Sequence, residues 1–165
     1  MLFRSRELES LCGAINGDFG ELDWMPVRYI HRVVARRRVP GLCRAAAVGL
    51  VTPLRDGMNL VAKEYVAAQD PDDPGVLILS RFAGAALQLR DALLVNPYSK
   101  DEISDAIRTA LAMPRDERIR RWRAMMDNVA QENVVTWREA FVEALEAVEL
   151  PETDPVRSEP VPSEI

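Results

Sequence analysis

Short, continuously apolar runs recur in the middle of the chain, and residues with helical spacing separate the first two. The runs cover residues 47–52, 76–80 and 93–95, and the helical spacing covers 60–69. Continuous hydrophobicity is typical of strands buried on both faces of a parallel sheet. Strand, helix and strand form a βαβ unit. We therefore expect an α/β fold with a Rossmann-like, doubly wound parallel sheet that binds ligands at the carboxyl ends of its strands.

Further elements flank this unit. The pattern predicts a helix over 7–15, a strand over 27–31, a short helix over 42–46, another over 83–91 and C-terminal helices from Ser99 to about 113, over 115–133 and over 136–150. Ser99 is expected to cap the first of these C-terminal helices, with Glu102 at the capping-box position. Trp122 and Trp137 fall within apolar helical stripes, which favours core positions for both.

The domain boundary follows from composition. Residues 1–150 are predicted to form one Rossmann-like domain with C-terminal helices. Residues 151–165 are rich in Pro, Glu and Ser. Such a segment buries too little apolar surface to offset the entropy of ordering, so we expect a disordered tail.

Charge and cysteine content exclude several classes of protein. The net charge is -5, and the arginines are scattered among acids, which argues against a nucleic-acid partner. No run approaches the ~18 apolar residues of a membrane span, and the first residues lack the apolar core of a signal peptide. Two cysteines and the single His31 suit neither a disulfide framework nor a metal site. A cytoplasmic protein without metal or cofactor is expected.

The candidate chemistry lies just after the first apolar run, where Asp56-Gly57 precedes a helix that contains Glu64. Gly57 would permit a tight turn, and amides at the helix N-terminus would face a diphosphate. Glu64, one turn into the helix, would accept hydrogen bonds from ribose hydroxyls, leaving Asp56 for a sugar. A capping aspartate and a solvated Lys63–Glu64 pair explain the same residues without any ligand.

Residues 51–67, Val-Thr-Pro-Leu-Arg-Asp-Gly-Met-Asn-Leu-Val-Ala-Lys-Glu-Tyr-Val-Ala, resemble the donor motif of the trehalose-6-phosphate synthases. The similarity continues through 75–80, 82–86 and 94–98 and covers most of residues 8–150. The family pattern has an aspartate where this chain has Ala47. The resemblance implies two Rossmann-like domains and metal-free transfer of glucose from UDP-glucose to glucose 6-phosphate, with retained anomeric configuration.

The same resemblance implies roles for individual residues. Asp56 would be the catalytic residue that binds a sugar hydroxyl, and Glu64 would hold the donor ribose. The remaining substrate-binding residues would be Gly57, Met58 and Asn59 through their backbone on the transferred glucose, Leu60 and Val61 through their amides on the diphosphate, and Ala62 and Lys63 beside them.

The resemblance covers only the second domain of the family. An N-terminal domain with most glucose 6-phosphate contacts, and an arginine and lysine that neutralise the diphosphate, would have to lie before Met1. We therefore expect a donor-binding fragment that is inactive alone and associates with a complementary domain or with a second copy. The alternatives are a non-enzymatic partner or regulator of a full-length synthase, and a fragment of a glucosylglycerol-phosphate synthase-like enzyme.

Overall fold

The computed structural model describes residues 2–148, so the tail expected over 151–165 lies outside the described residues. The chain divides into two compact units, Met1–Val39 and Pro40–Ile165. The first contains helix α1, Leu2–Phe19, and a 3₁₀ turn at Arg36–Arg38. Helix α2, Val39–Ala45, begins at the boundary between the units. The helices predicted over 7–15 and 42–46 are thereby confirmed.

The strand predicted over 27–31 is wrong, because this segment is irregular. Val27 bonds to the side chain of Asn16 instead of to a strand, with both N–O distances at 2.9 Å. An extended segment becomes a strand only when a neighbouring backbone completes its ladder. Within residues 2–39 the structure contains no second strand to do so. His31 lies 3.3 Å from the Glu9 carboxylate and is exposed.

The second unit is built on a parallel three-stranded sheet in the order β1-β2-β3. The strands are β1, Val48–Val51, β2, Val76–Ser80, and β3, Leu93–Val95. The helices are α3, Leu60–Ala68, α4, Lys100–Ala112, α5, Arg115–Gln131, and α6, Val134–Glu146. The predicted α/β fold class, the βαβ unit and the C-terminal helices are confirmed. The helix expected over 83–91 is only a 3₁₀ turn at Gly84–Leu87.

Helices cover both faces of the sheet because the side chains of β2 alternate between them. Leu77 and Leu79 pack in one cluster with α3 and α5. Val76 and Ile78 pack in another cluster with α4. All five residues of β2 are buried. β1 departs from the expectation of two buried faces: it is an edge strand, and Leu50 is 48% exposed.

The ends of the helices follow the expected capping chemistry. Ser99 Oγ accepts the N–H of Glu102 at 3.2 Å, which confirms Ser99 as the N-cap of α4.

Trp122 packs against the α3 cluster and donates to Val66 O at 2.9 Å, so its core position is confirmed. The core position of Trp137 is wrong: it is 63% exposed and stacks on Phe141 of the same helix. Across residues 2–148, no helix is both long and apolar enough to span a bilayer.

Candidate functional site

The loop that joins β1 to α3, residues 52–59, lies at the carboxyl edge of the sheet, beside the connection that follows β2. Asp56 forms an isolated parallel bridge with Ala83. Its carbonyl accepts the N–H of Gly84 at 3.0 Å, and Met58 O accepts the N–H of Ala85 at 2.6 Å. These backbone bonds attach the Asp56 loop to a second, separate stretch of chain. The loop is therefore held from outside as well as by its own turn.

Gly84 allows this close approach. A Cβ on Gly84 would collide with the Gly57 carbonyl oxygen and would lie 2.8 Å from its carbonyl carbon. Ordinary contacts between carbon atoms are about 3.5–4.0 Å. The 3₁₀ turn can therefore lie against the loop only because residue 84 has no side chain. Sequence reasoning missed this role of Gly84, because it placed the residue inside the helix expected over 83–91.

The unusual backbone of the loop is at Asn59 and not at Gly57. Asn59 has φ 76°, and the described glycines have no positive φ. Gly57, which was expected to permit a tight turn, does not use the left-handed region that glycine makes accessible. Space for a side chain at Gly57 is open, with no atom within 4 Å of an added Cβ. That space is available to a ligand approaching the backbone.

Asn59 also caps helix α3. Its Oδ1 accepts the N–H of Ala62 at 3.0 Å. Among the hydrogen bonds of the described residues, the N–H groups of Leu60 and Val61 have no acceptor. Unpaired N–H groups in the first turn of a helix carry the positive end of its dipole and bind anions. The start of α3 can therefore receive a phosphate group.

The Asp56 carboxylate is held at both of its oxygens. Oδ1 accepts the N–H of Met58 at 3.2 Å, and Oδ2 accepts Nδ2 of Asn59 at 2.9 Å. A carboxylate has about four acceptor sites, so others remain for hydroxyl groups of a ligand. Asp56 is half-buried, and its carboxylate is linked through the Asn59 side chain to the first turn of α3. A sugar and a phosphate could be bound side by side.

The other predicted site residues divide into two groups. Met58, Leu60 and Val61 are 45%, 63% and 56% exposed, and Glu64 is exposed one helical turn beyond Leu60. Ala62 is fully buried in the core, so its side chain is not available to a ligand. The exposed residues thus lie on the surface around the start of α3, and the side chain of Ala62 lies in the core.

A pocket of about 540 Å³ opens beside this surface. Met58, Leu60 and Lys63 line one side, and the opposite side is formed by residues of α5, α6 and their junction, including Glu132 and Trp137. Gln88 lies in the wall and donates through Nε2 to the Glu132 carboxylate. The predicted site residue Lys63 therefore faces a mostly apolar concavity. Sequence reasoning missed Gln88, which has no motif of its own.

Tyr65 anchors α3, and with it the free N–H groups, to the sheet. Its hydroxyl donates to Ala46 O at 3.0 Å, and burial raises the pKa of Tyr65 to about 12. A Cβ on Gly49 of β1 would lie 2.7 Å from the ring. The glycine in β1 therefore lets the ring pack flat against the strand.

Among the described residues, no group of three or more His, Cys, Asp or Glu side chains is arranged to hold a metal ion.

Comparison with known proteins gives consistent matches over most of the chain. The profile described as glycosyltransferase family 20 matches residues 4–147. A trehalose-6-phosphate synthase of Sinorhizobium fredii is 56% identical over 142 residues, which are 86% of this chain and 31% of the relative. The chain thus spans about a third of the length of the curated relatives it matches.

Solved structures agree in both sequence and fold. An α,α-trehalose-phosphate synthase from Burkholderia xenovorans in complex with glucose-6-phosphate is 54% identical, with a TM-score of 0.83 over 87% of this chain and 31% of that structure. The Escherichia coli protein bound with UDP-2-fluoro glucose is 49% identical, with a TM-score of 0.84 over 88% of this chain and 32% of that structure.

Proposed function

Because this chain belongs to glycosyltransferase family 20, we propose that it is the donor-binding part of a trehalose-6-phosphate synthase. The complete reaction is the transfer of glucose from UDP-glucose to glucose 6-phosphate with retained anomeric configuration. In this proposal residues 56–64 bind UDP-glucose. The observation that carries it is the Asp56 loop, in which a fixed carboxylate precedes a helix start where the N–H groups of Leu60 and Val61 have no acceptor among the described residues.

The donor would lie along the start of α3. The N–H groups of Leu60 and Val61 bind the diphosphate, where the helix dipole favours negative charge. Glu64 lies four residues beyond Leu60, on the same helical face and about 6 Å further along the axis. That offset suits a ribose attached to the diphosphate. Asp56 and the open backbone at Gly57 face the transferred glucose.

The acceptor and the chemical step need more than these residues. Breaking the glycosidic bond leaves negative charge on the diphosphate, which must be stabilised in the transition state. Two N–H groups and the helix dipole supply part of that stabilisation. The chain corresponds to about a third of its relatives, one of which is described in complex with glucose-6-phosphate. We therefore propose donor binding, without turnover, for the 165-residue chain alone, and association with a complementary domain for complete activity.

Calorimetric titration of UDP-glucose into the chain tests this proposal. The Asp56→Ala and Glu64→Ala variants should each weaken binding by about tenfold or more, since hydrogen bonds to charged groups are removed. Asp70→Ala is the matched control: Asp70 also accepts a loop N–H, that of Asp72 at 2.9 Å, but lies in the loop before β2. It should bind as the parent does.

Three results would contradict the proposal in different ways. Equal affinities for the parent, Asp56→Ala and Glu64→Ala would show that residues 56–64 do not bind the donor. Release of UDP from UDP-glucose and glucose 6-phosphate by the chain alone would refute the division between binding and turnover. A parent that binds no UDP-glucose but forms a stable complex with a full-length synthase would favour a regulatory partner.

A further inference from the structure

The side chain of Asn59 is used entirely within the loop. Oδ1 accepts the N–H of Ala62 at 3.0 Å, and Nδ2 donates to Asp56 Oδ2 at 2.9 Å. One short side chain therefore connects the candidate catalytic carboxylate to the first turn of α3. The backbone at this residue is left-handed, with φ 76°. Both features are independent of any ligand.

Asparagine combines three properties that this position requires. It tolerates the left-handed region better than most residues, it accepts a hydrogen bond as an N-cap, and it donates one to a carboxylate. Glycine shares only the first property. Aspartate shares the first two but would place a second negative charge against Asp56. Serine can cap a helix and donate a proton, but it is rare in left-handed backbone.

We propose that Asn59 is a positioning residue for donor recognition, whose side chain orients the Asp56 carboxylate toward the transferred sugar. The inference rests on the proposed donor-binding function and goes beyond it, because the family resemblance assigns only the Asn59 backbone to the donor. With Oδ1 held by the Met58 N–H at 3.2 Å, the bond from Asn59 fixes the second oxygen. Such a carboxylate loses little further freedom when it binds a hydroxyl.

The informative measurement is the ratio of affinities for UDP-glucose and UDP. The sugar contributes to the first ligand only, so this ratio reports the Asp56 contact apart from the diphosphate contacts of α3. Asn59→Gly keeps the left-handed backbone and removes the side chain, and glycine at an N-cap costs a helix little. UDP affinity should stay within about threefold of the parent, and the ratio should fall about tenfold, the typical effect of one charge-assisted hydrogen bond.

A double-mutant cycle distinguishes positioning from a general structural role. If Asn59 acts through Asp56, Asn59→Gly should not lower the ratio further in an Asp56→Ala chain, so the two effects are not additive. Ser99→Gly is the matched control. It removes the N-cap of α4, where the Ser99 hydroxyl accepts the N–H of Glu102. It should leave the ratio unchanged. Thermal unfolding of each variant checks that its fold is retained.

The outcomes separate this inference from the proposed function. A lower ratio with retained UDP affinity and a non-additive cycle supports the inference. Equal losses for UDP and UDP-glucose, or additive losses, overturn it, because Asn59 would then only stabilise the helix. If the parent binds neither ligand, the proposed function fails. NMR then decides whether Asn59 holds the carboxylate: side-chain amide signals of Asn59 that shift in Asp56→Asn support the contact, and unchanged signals overturn it.

Discussion

Replacing Gly84 by alanine should displace the Asp56 loop without changing any residue of that loop. The added Cβ would lie 2.8 Å from the Gly57 carbonyl carbon and 3.3 Å from Met58 Cα. Both atoms are backbone, so neither can rotate away as a flexible side chain would. Restoring an ordinary separation of about 3.5 Å from the carbonyl carbon requires a shift of about 0.7 Å, and the still closer approach to the Gly57 carbonyl oxygen requires a larger one. The loop and the 3₁₀ turn must move apart.

The size of the effect follows from what this shift disturbs. Overpacking a well-packed site typically costs about 1–3 kcal/mol of unfolding free energy. For a chain of this size that corresponds to a fall in Tm of about 2–4 °C per kcal/mol. The same shift lengthens the bonds from Gly84 N to Asp56 O, 3.0 Å, and from Ala85 N to Met58 O, 2.6 Å. We expect UDP-glucose to bind about tenfold or more weakly, since small misplacements strongly reduce the strength of oriented contacts.

Thermal unfolding followed by circular dichroism gives the stability change, and calorimetry gives the affinity. Gly41→Ala in α2 is the matched control, because no atom lies within 4 Å of its added Cβ. Alanine is also the better helix former there, so stability should be unchanged or slightly higher. If Gly84→Ala unfolds at the parent temperature and binds UDP-glucose as tightly as the parent, the connection after β2 does not position the loop.

Two further predictions use the same measurements. Gly57→Ala should change the unfolding free energy by less than about 0.5 kcal/mol, because its added Cβ meets open space. It should nevertheless weaken the binding of UDP-glucose more than the binding of UDP. If the variant loses no more affinity for UDP-glucose than for UDP, the sugar lies elsewhere. Tyr65 has a pKa near 12 against an ordinary value of 10.0, so its contribution to stability is complete below pH 10 and is lost as pH rises toward 12. Urea unfolding from pH 9 to 12 should show that loss in the parent but not in Tyr65→Phe, and identical pH profiles would refute the assignment.

The hydrophobic pattern correctly predicted the strands and helices whose own side chains form the core. It failed where a neighbouring segment of the chain decides whether a residue is paired or buried. β2 is continuously apolar in sequence and wholly buried in the structure, so its sequence alone was sufficient to predict a buried strand. The segment 27–31 has strand-forming residues, but residues 2–39 contain no strand to pair with it, and the Asn16 side chain bonds to the backbone of Val27 instead. Trp137 lies in an apolar helical stripe, yet periodicity indicates only that a face is apolar and not what covers it.

The candidate site shows the same division. The spacing of Asp56 and Glu64 around a helix start was visible in the sequence, because strand end, loop and helix start are consecutive. The contact between Asp56 and the chain at Ala83 was not visible. It depends on the register of two parallel strands, which pairs Val51 with Leu79 and so brings the loops after them together. Periodicity within each strand carries no information about that register when both of its faces are apolar.

The hydrogen bonds of the Asp56 loop also explain why its free N–H groups are available. The N–H groups of Met58 and Ala62 are taken by side chains of the loop itself, Asp56 and Asn59. Those of Leu60 and Val61 have no acceptor within the part of the chain that the structure describes, and they lie where the helix dipole is most positive. A phosphate bound there breaks no hydrogen bond of the protein and requires no new backbone conformation. The conformational entropy of the loop is therefore lost during folding and not on binding. Dipoles that are already fixed in this way bind an anion effectively even when they are few.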